Sequence, residues 1–175
     1  MITKTALCAA AAMFALGGLA MAHGAPQPDD AQIAHIAYTA GQIDVAAGQQ
    51  ALAKSRNSTV RAFAEEMVRD HAAVNDQALA LVKKLGVTPE DNATSKAIQT
   101  QAGKDLARLA ALDGAAFDRA YVENEIAFHR TVNGALGGTL IPAAHNGELK
   151  SLLETGLTLF GEHQKHAEHI AQAIR

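Results

Sequence analysis

The sequence of 175 residues is poor in the residues that build disulfide-linked and β-rich proteins. It has one cysteine, no tryptophan, and an aromatic content of only 4%. A single cysteine excludes a disulfide framework within one chain. The apolar residues are mostly alanine, whereas sheets draw on β-branched and aromatic side chains. The composition therefore argues against a β-sandwich or a β-barrel.

An excess of positive charge is also missing. Fifteen Lys and Arg residues against 18 Asp and Glu residues give a net charge of −3, which argues against nucleic acid as a partner. We find no Gly-rich phosphate loop, no GxSxG motif and no CxxC motif, so we predict no organic cofactor. A hydrophobic content of 49% excludes complete disorder, and eight histidines are the one unusual feature.

The N-terminal segment is typical of a signal peptide. Lys4 supplies a positive charge, an apolar stretch runs over Ala6–Ala20, and Ala20-Met21-Ala22 offers the small residues that a signal peptidase reads. We predict that residues 1–22 are removed, with cleavage after Ala25 as the alternative. The mature protein is then periplasmic or secreted. No later apolar run approaches the length that would predict a membrane span.

The rest of the sequence predicts one all-α domain over 29–174, preceded by a flexible tail over 23–28. Apolar residues recur at helical spacing in five segments. Four turn signals separate these segments: Ser55–Ser58, Gly86 with Pro89, Asp113-Gly114 and Asn146-Gly147. Two long hairpins, joined by a crossover with a short helix over about 94–111, predict an antiparallel four-helix bundle with an accessory helix. Thr94 or Ser95 is the predicted N-cap of that short helix.

The fourth helix has two candidate ends. Gly137-Gly138 and Pro142 both weaken a helix. Asn146-Gly147 is the better turn, because both residues tolerate a positive φ. We therefore predict a kinked fourth helix that continues to about Ala144 and turns at Asn146-Gly147.

Each long helix carries one ionisable residue on its apolar face, since successive helical residues turn by about 100°. These residues are Asp44, His71, His129 and His163 on the first, second, fourth and last helix. Glu125 lies one turn before His129 on the same face. The three histidines on apolar faces are the ones that we expect to be buried.

The positions of these residues along the two hairpins predict that they lie at one level. Asp44 precedes the turn at Asn57 by 13 residues, and His71 follows it by 14. If the second hairpin turns at Asn146, its two histidines lie 17 residues before and 17 after that turn. Antiparallel helices then bring each pair side by side.

Three imidazoles and a carboxylate that converge in a core are typical of a transition-metal site. Asp44, His71, His129 and His163 would suit four-coordinate zinc, or iron or copper if one position stays open. Glu125 would be a further ligand, a base, or an acceptor for an imidazole N–H. A dinuclear carboxylate centre is not predicted, because its Glu-x-x-His spacing is absent here.

Two other interpretations remain open at this point. The four polar groups would also suit a closed hydrogen-bond network in a non-catalytic envelope bundle that binds a partner through its surface. An enzyme is the third option, with Glu125 and the histidines as acid/base candidates and no catalytic residue assigned.

Polar residues on two other helix faces are predicted to be exposed. His166 and His169 follow His163 at intervals of three, and their angles around the helix place them at its edge or surface. Glu65, Glu66, Arg69 and Asp70 form a face that we interpret as solvated.

Three motifs resemble the signatures of a bacterial exported family, domain of unknown function 4142. They are Phe63–His71 with Asn75, Phe117–Val122 followed by His129, and Glu148–Lys150 followed by His163. The resemblance covers about 29–174 and implies a ferritin-like helical fold. Members are often labelled outer-membrane proteins, a label that nothing else in this sequence supports. Asp44 stands where the family commonly has Glu, and the usual Leu-Pro before the last His is absent.

Overall fold

A computed structural model describes residues 27–174, and within that range the chain is all-helical, as predicted. The helices are α1 (Asp30–Lys54), α2 (Ser58–Leu85), α3 (Ala93–Ala110), α4 (Gly114–Ala135), α5 (Ile141–Ala143) and α6 (Gly147–Ala173). A π-helical segment, Leu136–Leu140, joins α4 to α5. The predicted signal peptide over 1–22 lies outside the described residues.

Side-chain caps and glycine fix most of the helix ends. Asp29 accepts a hydrogen bond from the backbone of Gln32 at the start of α1. Gly86 ends α2 in the left-handed conformation at φ 66°, which glycine adopts without a steric penalty. The predicted caps of α3 are wrong, because Asn92 is the N-cap. Its side chain accepts from the Ser95 N–H, and the Ser95 hydroxyl accepts from the Asn92 N–H. Asparagine is as good a cap as serine, and it begins the helix earlier.

The predicted end and turn of the fourth helix are confirmed. The chain stays helical from α4 through the π-helical segment, which contains Gly137 and Gly138, to Ala143. Pro142 lacks the N–H that would continue a regular ladder, and the π-helical segment lies just before it in the chain. Asn146 then caps α6 by accepting from the backbone N–H groups of Glu148 and Leu149.

Short connections make two hairpins of the long helices. Three residues, 55–57, separate α1 from α2, and the two helices pack along each other. Residues 144–146 turn the chain so that α6 packs along α4. The hairpins contact each other through α2 with α6 and α1 with α4, while α3 packs on α1. Among the described residues, no helix combines the length and the hydropathy needed to cross a bilayer.

The hairpin of α1 and α2 is tight because α1 presents glycine to its partner. A Cβ added to Gly48 would lie 2.8 Å from a methyl group of Val68. A Cβ added to Gly41 would collide with the side chain of Asn75. Both glycines therefore let the two backbones approach more closely than any other residue would allow.

The buried apolar residues form two clusters, one towards the α1–α2 turn and one towards the other end. The first contains Ala47, Ala51, Val60, Phe63, Ala64, Met67, Leu109, Phe117, Tyr121, Val122, Ala167 and Ile170. The second contains Ile33, Ala34, Ile36, Val82, Leu136, Leu140, Ala143, Ala144, Leu149, Leu153 and Phe160. On each of α1, α2, α4 and α6, the inward ionisable residue falls between the two clusters along the helix. A polar layer therefore divides the core.

Candidate metal centre

The polar layer contains the five residues singled out in the sequence. Asp44 comes from α1, His71 from α2, Glu125 and His129 from α4, and His163 from α6, and none is more than 2% exposed. We call these five residues the inner cluster. Buried ionisable groups cost free energy unless they are paired or bound to a metal, so their convergence needs a physical explanation.

The three imidazoles of the inner cluster lie against one another. Nε2 of His71 is 3.4 Å from Nε2 of His129. One nitrogen of each ring, including His163, lies within 4.8 Å of one nitrogen of both others. The ring centroids are 5.3–5.6 Å apart. We call these three residues the imidazole side of the cluster.

Each imidazole has an oxygen acceptor near one of its two nitrogens. His129 Nδ1 donates to the backbone carbonyl of Glu125 at 3.0 Å. His163 Nε2 lies 3.1 Å from a carboxylate oxygen of Asp70 and donates to it. His71 Nδ1 faces Oδ2 of Asp44 at 3.5 Å. The acceptor beside one nitrogen fixes the tautomer and leaves a lone pair on the other.

Asp44 and Glu125 form the carboxyl side of the cluster. Their oxygens and a nitrogen of His129 all lie within 4.8 Å of one another. Oε2 of Glu125 is 3.7 Å from Nδ1 of His129, the ring edge turned away from His71. Within the described residues, neither Glu125 oxygen has a hydrogen-bond donor, and the buried Tyr121 hydroxyl is also without a partner.

Burial keeps the imidazoles neutral. It lowers the pKa of His71 from 6.5 to about 2, with further lowering from the other two rings of the imidazole side. Burial lowers the pKa of His129 to about 4, and the nearby His163 contributes to this lowering. The pKa of His163 is also lowered, again chiefly by burial, although Asp70 opposes the shift. At neutral pH each ring therefore keeps one lone pair.

Burial acts in the opposite direction on the carboxyl side. It raises the pKa of Glu125 from 4.5 to about 8. It raises the pKa of Asp44 well above the usual value, and the adjacent Glu125 raises it further. Two carboxyls this close in an apolar core cannot both be charged at neutral pH. The carboxyl side therefore holds at least one proton.

Apolar groups adjoin the imidazole side. The Phe160 ring stacks on His71 with a centroid distance of 4.5 Å and an interplanar angle of 13°. A cavity of about 80 Å³, lined largely by aliphatic side chains, reaches Asp44, His71 and Asn75. Asn75 is 3% exposed, and its side-chain nitrogen has no hydrogen-bond partner among the described residues.

The structure corrects the interpretation of two residues on α2. Asp70 and Glu66 were expected on a solvated face, yet Asp70 contacts His163, and Glu66 contacts His166 Nδ1 at 2.7 Å. The error arose because a helical angle describes one helix alone, whereas α6 packs against the edge of this face. The usable signal was the spacing of four between Glu66 and Asp70, which puts both on one strip of the helix.

Several buried polar atoms in and beside the inner cluster lack a hydrogen-bond partner among the described residues. These are five atoms: His71 Nδ1, His163 Nδ1, both Glu125 carboxyl oxygens and the hydroxyl of the neighbouring Tyr121. Buried polar groups are normally paired, so a concentration of unpaired ones in a single layer is typical of a site that takes a ligand.

A family model described as Domain of unknown function (DUF4142) matches residues 18–170, most of the chain. No curated protein and no solved structure matches this chain.

Proposed function

The chain belongs to the DUF4142 family, a family of unknown function, and we propose that it is a helical bundle that binds one transition-metal ion. The ligands are His71, His129 and His163. In this proposal α1, α2, α4 and α6 make a ferritin-like antiparallel four-helix bundle, with α3 as an accessory helix in the crossover. Metal sites in such bundles are built from side chains on facing helices.

The observation that carries the proposal is an oxygen beside one nitrogen of each imidazole, hydrogen-bonded to His129 and His163 and 3.5 Å from Nδ1 of His71. Asp44, the Glu125 carbonyl and Asp70 each lie beside one nitrogen of one ring. This is the arrangement of metal-bound histidines, whose second N–H meets a carboxylate or a carbonyl. The ligand nitrogens are then Nε2 of His71, Nε2 of His129 and Nδ1 of His163.

The spacing of the rings supports the same conclusion. Two nitrogens bound to zinc at about 2.0–2.1 Å with a tetrahedral angle lie about 3.3–3.4 Å apart. The two Nε2 atoms of His71 and His129 are 3.4 Å apart. That distance is long for a hydrogen bond between imidazoles and suits two ligands of one ion.

The carboxyl side has a supporting role in this proposal. Asp44 lies behind His71, and the Glu125 carboxyl lies beside Nδ1 of His129, so both stand next to ring edges that do not face the ion. Both carboxyls are therefore placed to orient the rings rather than to bind the ion directly. An ion with three imidazole ligands and one open position suits zinc, iron or copper.

The cellular role that we propose is metal handling or stress defence after export. The positive Lys4, the apolar stretch that follows and the small residues ending at Ala22 support export by a cleaved signal peptide. Expression in a Gram-negative host followed by mass measurement of the periplasmic protein tests this step. A mature chain that begins at His23 agrees with the proposal, and an intact Met1 in the cytoplasmic fraction contradicts it.

Elemental analysis of the refolded protein tests metal binding. Samples are offered Zn, Cu, Fe or Mn, and we expect about one ion per chain with at least one of these metals. His71→Ala should lose most of it, while His169→Ala, an exposed histidine on α6, should bind as the unmodified chain does. Substoichiometric metal that is unchanged in His71→Ala would favour the alternative of a structural envelope bundle.

A further inference from the structure

A second group of carboxylate and imidazole side chains lies between the surface and the inner cluster. It consists of Glu66 and Asp70 on α2 and His163 and His166 on α6, and we call it the outer cluster. His166 Nδ1 is 2.7 Å from Glu66 Oε2, and His163 Nε2 is 3.1 Å from Asp70 Oδ2. Ligand atoms of Glu66, Asp70 and His163 all lie within 4.8 Å of one another.

Helical spacing explains why these side chains meet. Glu66 and Asp70 are four residues apart on α2, and His163 and His166 are three apart on α6, so each pair lies along one strip of its helix. The two strips face each other where α2 contacts α6. Two imidazoles and two carboxylates are a donor set suited to divalent transition metals.

The outer cluster connects solvent to the inner cluster through one residue. The exposed fraction of the side chain falls from 44% at His166 and 29% at Glu66 to 18% at Asp70 and 1% at His163. His163 Nε2 belongs to the outer cluster, while its Nδ1 is buried without a partner. The same ring therefore offers one nitrogen to each cluster.

We propose that the outer cluster is the entry site at which a divalent transition metal is captured before His163 passes it to the inner cluster. This inference rests on the proposed function, since it concerns how the inner site is filled. Transfer requires a rotation of the His163 side chain and the loss of the two surface carboxylates as ligands. On capture the ring proton of His163 moves from Nε2 to Nδ1 through solvent, so that Nε2 can bind the ion, and it moves back when Nδ1 becomes the ligand.

The other approach to the inner cluster is unsuited to a cation. The apolar cavity reaches Asp44 and His71, but its walls are largely aliphatic. An ion that gives up its water along those aliphatic walls meets few replacement ligands before it reaches Asp44 and His71, and burial of an unpaired charge is costly. The outer cluster instead replaces water by carboxylate and imidazole from the first contact.

Arg69 controls access to the outer cluster. Its Nε donates to Asp70 Oδ1 at 2.7 Å, and its Nη2 donates to Oδ2 at 3.1 Å. A captured cation competes with this guanidinium for Asp70. Arg69→Gln should therefore speed metal capture, whereas Glu66→Gln with Asp70→Asn should slow it.

The test measures the rate at which Co²⁺ alone fills the inner site, followed by stopped-flow visible absorption of tetrahedral cobalt. We expect the Glu66→Gln/Asp70→Asn variant to load about tenfold more slowly and to reach the same final absorption, because a cluster of charge raises cation on-rates by about 10-fold or more. The Glu65→Gln/Asp76→Asn variant, which removes two exposed negative charges from the same helix, should load at the unmodified rate.

The outcomes separate this inference from the proposed function. Equal loading rates in the double variant, with full final absorption, overturn the entry site and leave the inner site standing. No cobalt binding by the unmodified chain overturns the proposed function and the entry site together.

A second measurement examines the outer cluster alone. The His71→Ala/His129→Ala variant removes two inner ligands but keeps all four outer ones. We expect weak Co²⁺ binding in equilibrium dialysis, and its loss when Glu66→Gln and Asp70→Asn are added. Binding that persists after those additions contradicts the assignment of the outer cluster.

Discussion

Burial shifts the pKa values on the two sides of the inner cluster in opposite directions. Burial lowers the pKa values of the imidazoles, so the rings are uncharged because they lack a proton. Burial raises the pKa values of Asp44 and Glu125, so the carboxyl side keeps at least one proton at neutral pH. The same desolvation thus prepares one side to receive a cation directly and makes the other release a proton first.

This difference suggests a division of labour. The imidazole side supplies lone pairs at neutral pH, while the carboxyl side orients the rings and takes up charge once an ion is present. Metal binding in proteins commonly releases protons for this reason. The predictions that follow test whether the two sides differ in this way.

The largest effect is expected from a change on the imidazole side. His129→Gln keeps a polar side chain of similar length but removes the Nε2 ligand. We expect the zinc dissociation constant, measured by competition with a chromophoric chelator, to rise by more than about 100-fold, which exceeds the usual effect of losing an orienting residue. A dissociation constant unchanged from that of the unmodified chain would show that His129 does not bind the ion.

A smaller effect is expected from the carboxyl side. Asp44→Ala removes the acceptor beside His71 Nδ1, and such losses weaken metal binding by about 10–100-fold. Asp44→Glu, which carries the residue usual in the resembling family, should retain most of the affinity because a carboxylate remains within reach. If Asp44→Ala weakens binding as much as His129→Gln does, then Asp44 is a ligand and the division between the two sides is wrong.

The stability of the metal-free protein should depend on pH with opposite signs for the two sides. His71 and His129 have folded-state pKa values of about 2 and about 4, below the ordinary 6.5, so their contribution is lost as pH falls below 6.5. Glu125, at about 8 against 4.5, contributes fully below pH 4.5 and loses that contribution as pH rises through 8. The effects oppose each other between pH 4.5 and 6.5.

Above pH 6.5 the carboxyl side acts alone, so stability should fall as pH rises towards 8. Urea unfolding of the metal-free protein at a series of pH values measures this decline. Glu125→Gln should remove most of it, and Glu123→Gln, an exposed acid on the same helix, should leave it intact. A decline of equal size in Glu125→Gln would mean that Glu125 does not hold the proton.

The smallest effect on metal binding is expected from a change in the contact between α1 and α2, which carry Asp44 and His71. Gly48→Ala places a Cβ against Val68 in the α1–α2 contact and should lower the free energy of unfolding by about 1–3 kcal/mol. Gly103→Ala, where a Cβ meets nothing within 4 Å, should not destabilise the protein. Both variants should still bind zinc, and loss of zinc by a folded Gly48→Ala would show that the site tolerates no shift of α1.

Much of the inner cluster follows from the sequence, because helical angle and distance from a turn are both properties of one chain segment. The contact between Asp44 and His71 and that between His129 and His163 were predicted from residue counts around Asn57 and Asn146. The π-helical segment did not move this register, since the chain still turned at Asn146.

The rest depends on packing between helices, which periodicity does not report. The contact between Asp70 and His163 arises from how α2 and α6 are placed side by side. The choice of nitrogen on each ring depends on side-chain rotamers and on acceptors supplied by a neighbour. Tyr121 was not singled out, because an aromatic residue on an apolar face is usually part of the core.

Zinc K-edge X-ray absorption of the zinc-loaded protein tests the central claim most directly. The account predicts three imidazole nitrogens at about 2.0–2.1 Å, with the multiple scattering typical of histidine rings. A first shell made only of oxygen, or a spectrum unaltered in His71→Ala, would contradict it.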